Sequence, residues 1–203
     1  MTLRTRLVRP DDAPRMLALN TPAVPAVNLL DADELAGILA VAHAGFAVVD
    51  DAGATGDAPA AGPTGSAVAA AAPAAAPTGS AAAAAGPAAA AVPLLGFVLT
   101  LLPGAAYESE NYRWFSARSN DFLYVDRIVV ADGARDRGIG AMLYAAVFEA
   151  ARAAGVAEVF CEVNLEPPNP GSLRFHHRLG FEEVGQQATK GGSVVVSLLA
   201  ARV

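Results

Sequence analysis

The segment Arg135-Asp136-Arg137-Gly138-Ile139-Gly140-Ala141 decides the fold of this chain. It stands between an apolar run typical of a strand, Phe122 to Val130, and a helical apolar pattern, Ile139 to Ala154. The first turn of a helix has unpaired N–H groups and the positive end of the helix dipole, so it binds phosphate. The two glycines let a pyrophosphate approach the backbone, and the two arginines add charge for its oxygens. We therefore predict a phosphate-binding turn at this strand-to-helix junction.

Three glycine-rich patterns are candidates for this turn. A nucleotide P-loop ends in Gly-Lys-Ser/Thr, which the segment lacks. A Rossmann fingerprint needs a third small residue where Leu143 stands. The pattern Arg-x-x-Gly-x-Gly is matched in full from Arg135 to Gly140. The alternative without a ligand is a glycine turn that merely begins a helix.

A second motif lies one helix and one strand downstream, from Asn169 to Phe181. Asn169 is a good N-cap, and the proline after it suits the first helical position. Gly180 suits the left-handed end of the same helix. Between them stand a small residue, Ser172, and the aromatic pair Phe175-His176.

The two motifs, in this order and spacing, resemble those of the GNAT superfamily, the Gcn5-related N-acetyltransferases. The resemblance is strong from Phe122 to about Gln187 and rests on element order in the N-terminal half. The runs Tyr124 to Val130 and Cys161 to Asn164 look like a bacterial branch of the superfamily. The resemblance implies an α/β fold with a mixed, mostly antiparallel sheet, splayed between two parallel strands and covered by helices on both faces.

The rest of the chain fits this element order. We expect a single domain over 1–203, interrupted at 51–92 by a disordered insertion of Ala, Pro and Gly that has nothing large to bury. Further strands are predicted at Leu3–Arg9, Phe46–Val49, Leu94–Leu102, Val159–Leu165 and Val194–Leu199, and further helices at Asp11–Leu19, Asp31–Ala42 and Pro170–Leu179.

The resemblance also implies a cosubstrate, acetyl-CoA, and the residues that would hold it. The pantetheine arm would lie between the splayed strands and pair with backbone groups of Ile128 and Val130. An amide of Val129 or Val130 would stabilise the charge on the thioester oxygen. Asn169 would contact the arm or only cap its helix, with Ser172 beside it. The amides that would grip the pyrophosphate are those of Arg135, Asp136, Arg137, Gly138, Ile139, Gly140 and Ala141.

In the reaction of this family, an amine attacks the thioester directly in a ternary complex. A free alkyl amine has a pKa near 10, so it must lose a proton to a base. Our hypothesis is that Asp126 or Glu162 is that base, because unpaired charges inside apolar strands are costly. The alternative is a structural charge, bridged to Arg127 or Arg178. Strand alternation is expected to put Tyr124, Asp126, Ile128 and Val130 on one face and Phe160, Glu162 and Asn164 on one face of the neighbouring strand.

The departing thiolate benefits from an acid. His176 stands where many members of the family carry tyrosine, and it either protonates the sulfur or makes a hydrogen bond nearby. Tyr124 is the second candidate for the acid. Cys161 is interpreted as a small core residue rather than a nucleophile. No metal is expected, because His176 and His177 are adjacent in a helix and point apart.

Composition limits the partners. The net charge is −6, the pI is about 5.0, and Lys190 is the only lysine, so nucleic acid is not an expected partner. The N-terminus lacks the apolar core of a signal peptide, and Pro and Gly interrupt the Ala-rich stretch, so we expect a cytoplasmic protein without membrane contact.

The acceptor is expected to be a primary amine of a small molecule or peptide. The aromatic-rich segment Pro103 to Asn120 is expected to line or cover the acceptor side, and its acids Glu108 and Glu110 would suit a cationic amine. Dimers are common in the family, so a homodimer is left open. Two alternatives remain: transfer of a longer acyl group, and a CoA-binding regulatory module without catalysis.

Overall fold

The structure is a computed structural model that describes residues 2–51 and 92–203. The insertion predicted at 51–92 lies outside the described residues, apart from its two end residues. Among the described residues, no helix has the length and hydrophobicity to cross a membrane.

The described residues form one seven-stranded sheet with helices on both faces. Its strands are β1 (Leu3–Leu7), β2 (Ala44–Asp50), β3 (Leu94–Leu101), β4 (Phe122–Val130), β5 (Glu158–Glu166), β6 (Glu182–Thr189) and β7 (Val194–Arg202). Their order across the sheet is β1-β2-β3-β4-β5-β7-β6. All neighbouring pairs are antiparallel except β4 and β5, which are parallel. The helices are α1 (Ala13–Asn20), α2 (Ala32–Val41), α3 (Glu110–Arg118), α4 (Ile139–Ala154) and α5 (Pro170–Arg178).

The parallel pair separates soon after it begins. Only Phe122 to Tyr124 of β4 pair with Glu158 to Phe160 of β5. Beyond that point β4 continues along β3 as far as Val130, and β5 continues along β7 as far as Glu166. A wedge-shaped gap therefore opens between the two strands, which confirms the predicted splayed sheet.

One face of the sheet packs on α4, whose buried residues recur at helical spacing: Ile139, Leu143, Tyr144, Val147 and Ala151. The opposite face packs on α1 and α2 at one end and on α3 at the other. The predicted end of α4 is also correct, since Gly155 adopts a left-handed conformation with φ 72°.

A β-bulge in β4 overturns the predicted strand alternation. Leu99 of β3 pairs with Arg127, whereas Thr100 pairs with Val125, so Asp126 is an extra residue on β4. The extra residue reverses the faces that follow it. Tyr124 packs in the cluster beside α3, whereas Ile128 and Val130 pack toward α4, so the predicted common face of these residues is wrong.

Two elements were not predicted from the sequence. The α3 helix is short and polar on average, and its start is marked only by Ser109, whose hydroxyl accepts from the amide of Tyr112 at 3.4 Å. The β6 strand is a sheet edge whose largely polar run, Glu182 to Gln187, has no buried residue and lacks apolar alternation. Both depend on contacts with distant parts of the chain.

Candidate active site

A cavity of about 920 Å³ opens where β4 and β5 separate. Its volume lies within the usual range of ligand sites in proteins. It runs from the N-terminus of α4 to the loop before α3. Of the predicted cofactor residues, all except Arg137 line it: Ile128, Val129, Val130, Arg135, Asp136, Gly138, Ile139, Gly140, Ala141, Asn169 and Ser172.

The turn at the start of α4 has the geometry of an anion site. Gly138 precedes the helix in a left-handed conformation, with φ 76°, and Asp136 also has a positive φ of 63°. Among the described residues, no side chain caps this helix end. The amides of its first turn therefore keep their hydrogen-bonding capacity at one end of the cavity. This uncapped turn fits a pyrophosphate.

The two arginines of the turn differ in position. Arg135 lines the cavity, is largely exposed, and pairs with Asp132 at 2.7 Å. An exposed ion pair of this kind contributes little to stability, so it leaves Arg135 available to another anion. The guanidinium of Arg137 lies 3.6 Å from the carboxylate of Asp50, outside the lining of the cavity.

The two glycines of the turn are required for different reasons. A Cβ on Gly138 would meet no atom within 4 Å, so its glycine is needed for the positive φ. A Cβ on Gly140 would lie 2.9 Å from Cζ of Phe175 on α5. Gly140 thus allows α5 to pack closely on α4, a reason that the motif alone does not reveal.

The start of α5 forms as the sequence predicts. Asn169 caps the helix, because its side-chain oxygen accepts from the amide of Ser172 at 3.2 Å. The cap and Ser172 both line the cavity. The cap role of Asn169 is thus visible, and a contact with a pantetheine arm stays a prediction.

Glu162 projects from β5 into the gap. The hydroxyl of Tyr124 donates to its two carboxyl oxygens at 3.0 and 2.9 Å. Burial, and after it the negative charge of Asp126, raise the pKa of Glu162 to about 8. Glu162 lines the cavity, whereas Tyr124 does not. Tyr124, the second candidate for the acid, therefore lies behind Glu162 rather than at the cavity surface.

Asp126 is a structural partner in a buried cluster. Its carboxylate accepts from Nε of Arg127 at 2.6 Å and from the hydroxyl of Tyr107. The guanidinium of Arg127 also donates to Asn20 of α1 at 3.1 Å. Burial and the Asp126 carboxylate raise the pKa of Tyr107, which keeps its proton. The alternative considered for Asp126, an ion pair with Arg127, is the arrangement observed.

His176 is buried and held from both sides. Its Nδ1 lies 2.8 Å from the carbonyl oxygen of Ser172, and its Nε2 lies 2.7 Å from the hydroxyl of Tyr144. A carbonyl oxygen only accepts, so Nδ1 carries the proton. Burial lowers the pKa of His176, which is therefore neutral, and Nε2 accepts from Tyr144. In this arrangement His176 has no proton to give to the cavity.

Tyr144 was missed by the sequence reasoning, although it lines the cavity beside Cys161. Tyr144 lies on α4, and the burial of its hydroxyl raises the pKa of that hydroxyl. The signal was available, since Tyr144 follows Leu143 on the buried stripe of the helix. Burial also raises the pKa of Cys161, which is consistent with an inert core thiol.

The end of the cavity at which we expected an acceptor is built partly as predicted. The start of the aromatic segment, Tyr107 to Asn111, lines it, whereas Tyr112 and Phe115 lie in the core beneath. Two further residues were not anticipated: Lys190 in the β6–β7 turn donates to the side chain of Asn28 at 2.5 Å. Among the described residues, no group of three or more His, Cys, Asp and Glu side chains could hold a metal ion.

Comparison with known proteins gives the class. The family model described as "Acetyltransferase (GNAT) family" matches residues 94–181. A phosphinothricin N-acetyltransferase from Streptomyces coelicolor is 41% identical over 58 residues, which is 29% of this chain and 33% of the relative. The matched part thus spans about a third of that relative's length.

Two solved structures share the whole fold. A GCN5-related N-acetyltransferase from Kribbella flavida has a TM-score of 0.60 and 16% identity, over 99% of this chain and 98% of its own. The structure of yncA from Salmonella typhimurium with its cofactor acetyl-CoA has a TM-score of 0.60 and 12% identity, over 100% and 94%. The fold of this chain is that of these two structures. Residues 94–181, which contain both sequence motifs, thus match the GNAT acetyltransferase family.

Proposed function

We propose that this protein transfers an acetyl group from acetyl-CoA to a primary amine of a small molecule or peptide, by direct attack in a ternary complex. One observation carries the proposal: a carboxyl whose pKa is about 8, that of Glu162, projects into the gap between the splayed strands. A general base works best when its pKa lies near the pH at which the enzyme operates.

The cofactor residues are assigned by their position along the cavity. The uncapped turn from Arg135 to Ala141 would hold the pyrophosphate through its amides, with the Arg135 guanidinium beside it. The free edge of β4, at Ile128 to Val130, would pair with the pantetheine arm, and Asn169 and Ser172 would border it. When bound there, acetyl-CoA supplies the thioester.

We assign the base to Glu162 rather than Asp126. The Asp126 carboxylate accepts from the buried guanidinium of Arg127 and from the hydroxyl of the half-buried Tyr107. Both carboxylates line the cavity, but Glu162 accepts only from neutral groups among the described residues, the hydroxyl of Tyr124 and the side chain of Asn111. It would accept the proton of the attacking amine, while burial, and after it the Asp126 charge, hold the pKa of Glu162 high.

His176 is assigned a positioning role. Its neutral ring fixes the hydroxyl of Tyr144 and ties the last turn of α5 to α4. The amide of Val129 or Val130 remains the proposed donor to the thioester oxygen, because both residues line the gap.

Two measurements test the proposal. Calorimetric titration with coenzyme A tests the cofactor site, and absence of heat at millimolar ligand from folded protein would refute it. A thiol-release screen against amino acids, polyamines, aminoglycosides and peptide N-termini then tests catalysis, with acetyl-CoA and longer acyl-CoAs as parallel donors. Binding of coenzyme A without thiol release from any donor would support the regulatory alternative. Faster release from a longer acyl-CoA would support the longer acyl group.

A further inference from the structure

A second pocket of about 370 Å³ adjoins the acceptor end of the cavity. We call it the α2 pocket, because its walls come from residues 28–38, around the start of α2, and from the loop 106–109. Five residues line both it and the cavity: Asn28, Tyr107, Glu108, Ser109 and Arg127. The α2 pocket and the cavity are therefore neighbours that share a wall. The volume of the α2 pocket lies within the range of ligand sites.

The polar groups on the walls of the α2 pocket are already occupied. Glu34 accepts from the amide of Asp31 at 2.9 Å, and Glu108 pairs with Arg113 at 3.0 Å. The shared wall is satisfied too: Arg127 pairs with Asp126, Tyr107 donates to Asp126, and Asn28 accepts from Lys190. Among the described residues, the pocket thus presents no charge that lacks a partner for a ligand to neutralise.

The remaining wall is apolar. Leu29, Leu30 and Ile38 line the pocket, and Ile38 is buried in the core beneath it. Leu29 at the rim is 63% exposed, which is unusual for a leucine beside a cleft. An apolar group in the pocket would cover that leucine and leave every polar partner in place.

We propose that the α2 pocket is a specificity subsite that binds an apolar alkyl or aryl substituent of the amine acceptor. The inference rests on the proposed function. The amine stays near Glu162, and its substituent passes the shared wall at Tyr107 into the pocket. Affinity then rises with chain length, by about fourfold for each buried methylene, until the pocket is full.

Gly37 offers a way to fill the pocket without disturbing the catalytic residues. It lies in α2, it lines the pocket, and a Cβ there would meet no atom within 4 Å. Gly37→Leu therefore adds a side chain at the pocket whose Cβ meets no neighbouring atom. Gly37→Ala is the matched control, since it adds a single carbon and removes the same helix glycine.

The experiment is calorimetric titration of straight-chain primary amines, from ethylamine to hexylamine, into protein saturated with coenzyme A. For the wild type and Gly37→Ala, we expect affinity to rise about fourfold per methylene over this series. For Gly37→Leu, we expect hexylamine to lose at least tenfold in affinity while ethylamine changes less than twofold.

Two results would overturn the subsite. One is wild-type affinity that does not depend on chain length; the other is a Gly37→Leu series that matches the wild type. Failure of the proposed function is recognised separately, because coenzyme A itself then produces no heat, and the subsite falls with it.

Discussion

The hydroxyl of Tyr124 donates to the carboxyl of Glu162 across the parallel strands, two residues beyond the last paired position on β5. The bond thus sits at the point where the sheet opens. It holds Glu162 at the closed end of the gap, where the carboxyl lines the cavity in front of Tyr124. The carboxyl is therefore fixed in position while remaining within reach of a ligand.

Glu162→Gln should lower turnover by a hundredfold or more, on the order of what a general base contributes. The amide keeps the bond from Tyr124 but cannot accept a proton. In the wild type, kcat/KM should rise with pH through about 8, because the carboxyl must first lose its proton. The pH–rate profile of both proteins checks this. Glu166→Gln, at the exposed end of the same strand, is the control; equal loss in both variants would argue against Glu162 as base.

Asp126→Asn should move the rising limb of the profile to lower pH. The Asp126 charge helps raise the pKa of Glu162, and its removal also leaves the Arg127 cation nearby to lower that pKa. Breaking this buried pair should cost about 3–5 kcal/mol of unfolding free energy. Denaturant unfolding measures the loss of stability, and the pH–rate profile measures the shift of the limb. Tyr107→Phe is the control, because it removes one hydrogen bond to Asp126 without changing the charge. A pH–rate profile whose rising limb stays at the wild-type pH would contradict the proposed coupling between Asp126 and Glu162.

His176 should make the folded state sensitive to acid. Its pKa lies below the ordinary value of 6.5, so below about pH 6.5 the unfolded chain binds a proton that the folded chain does not. Stability from this group is thus present above pH 6.5 and is lost as pH falls. His176→Gln should flatten that part of the unfolding curve, whereas the exposed neighbour variant His177→Gln should not. Tyr144→Phe should lower the free energy of unfolding by about 1–3 kcal/mol and leave turnover within tenfold of the wild type. A far larger loss of turnover would instead support a role for the Tyr144–His176 pair as the acid.

Gly140→Ala and Gly138→Ala should both weaken coenzyme A binding, but for separable reasons. The first forces its Cβ against Phe175, so α5 must shift, at a cost of about 1–3 kcal/mol. The second strains the left-handed turn and costs about 1–2 kcal/mol without touching α5. Calorimetry gives affinity and thermal unfolding gives stability. If Gly140→Ala leaves both unchanged, the close packing of the two helices is not required.

Arg135→Ala should reduce coenzyme A affinity several-fold, and the loss should shrink as salt concentration rises. Arg152→Ala is closely matched, since each arginine is exposed and pairs with an acid three residues earlier, Arg135 at 2.7 Å and Arg152 at 2.8 Å. Only Arg135 lines the cavity. Calorimetric titrations at low and high salt distinguish them, and an equal response of the two variants would rule out a phosphate contact by Arg135.

Local sequence signals were enough to predict the helices α4 and α5, which border the cavity. The helix α4 begins and ends at the predicted residues, because its apolar period and Gly155 are both local features. The Asn169 cap and the proline after it likewise predicted the start of α5. The edge strand β6 and the helix α3 were not predicted, because polar segments acquire their secondary structure from contacts with a neighbouring element.

The sequence by itself determined the match to the GNAT family model over residues 94–181, the splayed sheet and the turn that begins α4, because caps, glycines and apolar period act over a few residues. Only the tertiary structure decided which of the two cavity-lining carboxylates is held in an ion pair. Asp126, the extra residue of the bulge in β4, pairs with Arg127, whereas Glu162 accepts from the hydroxyl of Tyr124. Charge pairing and burial depend on segments distant in the chain, so no local pattern specifies them.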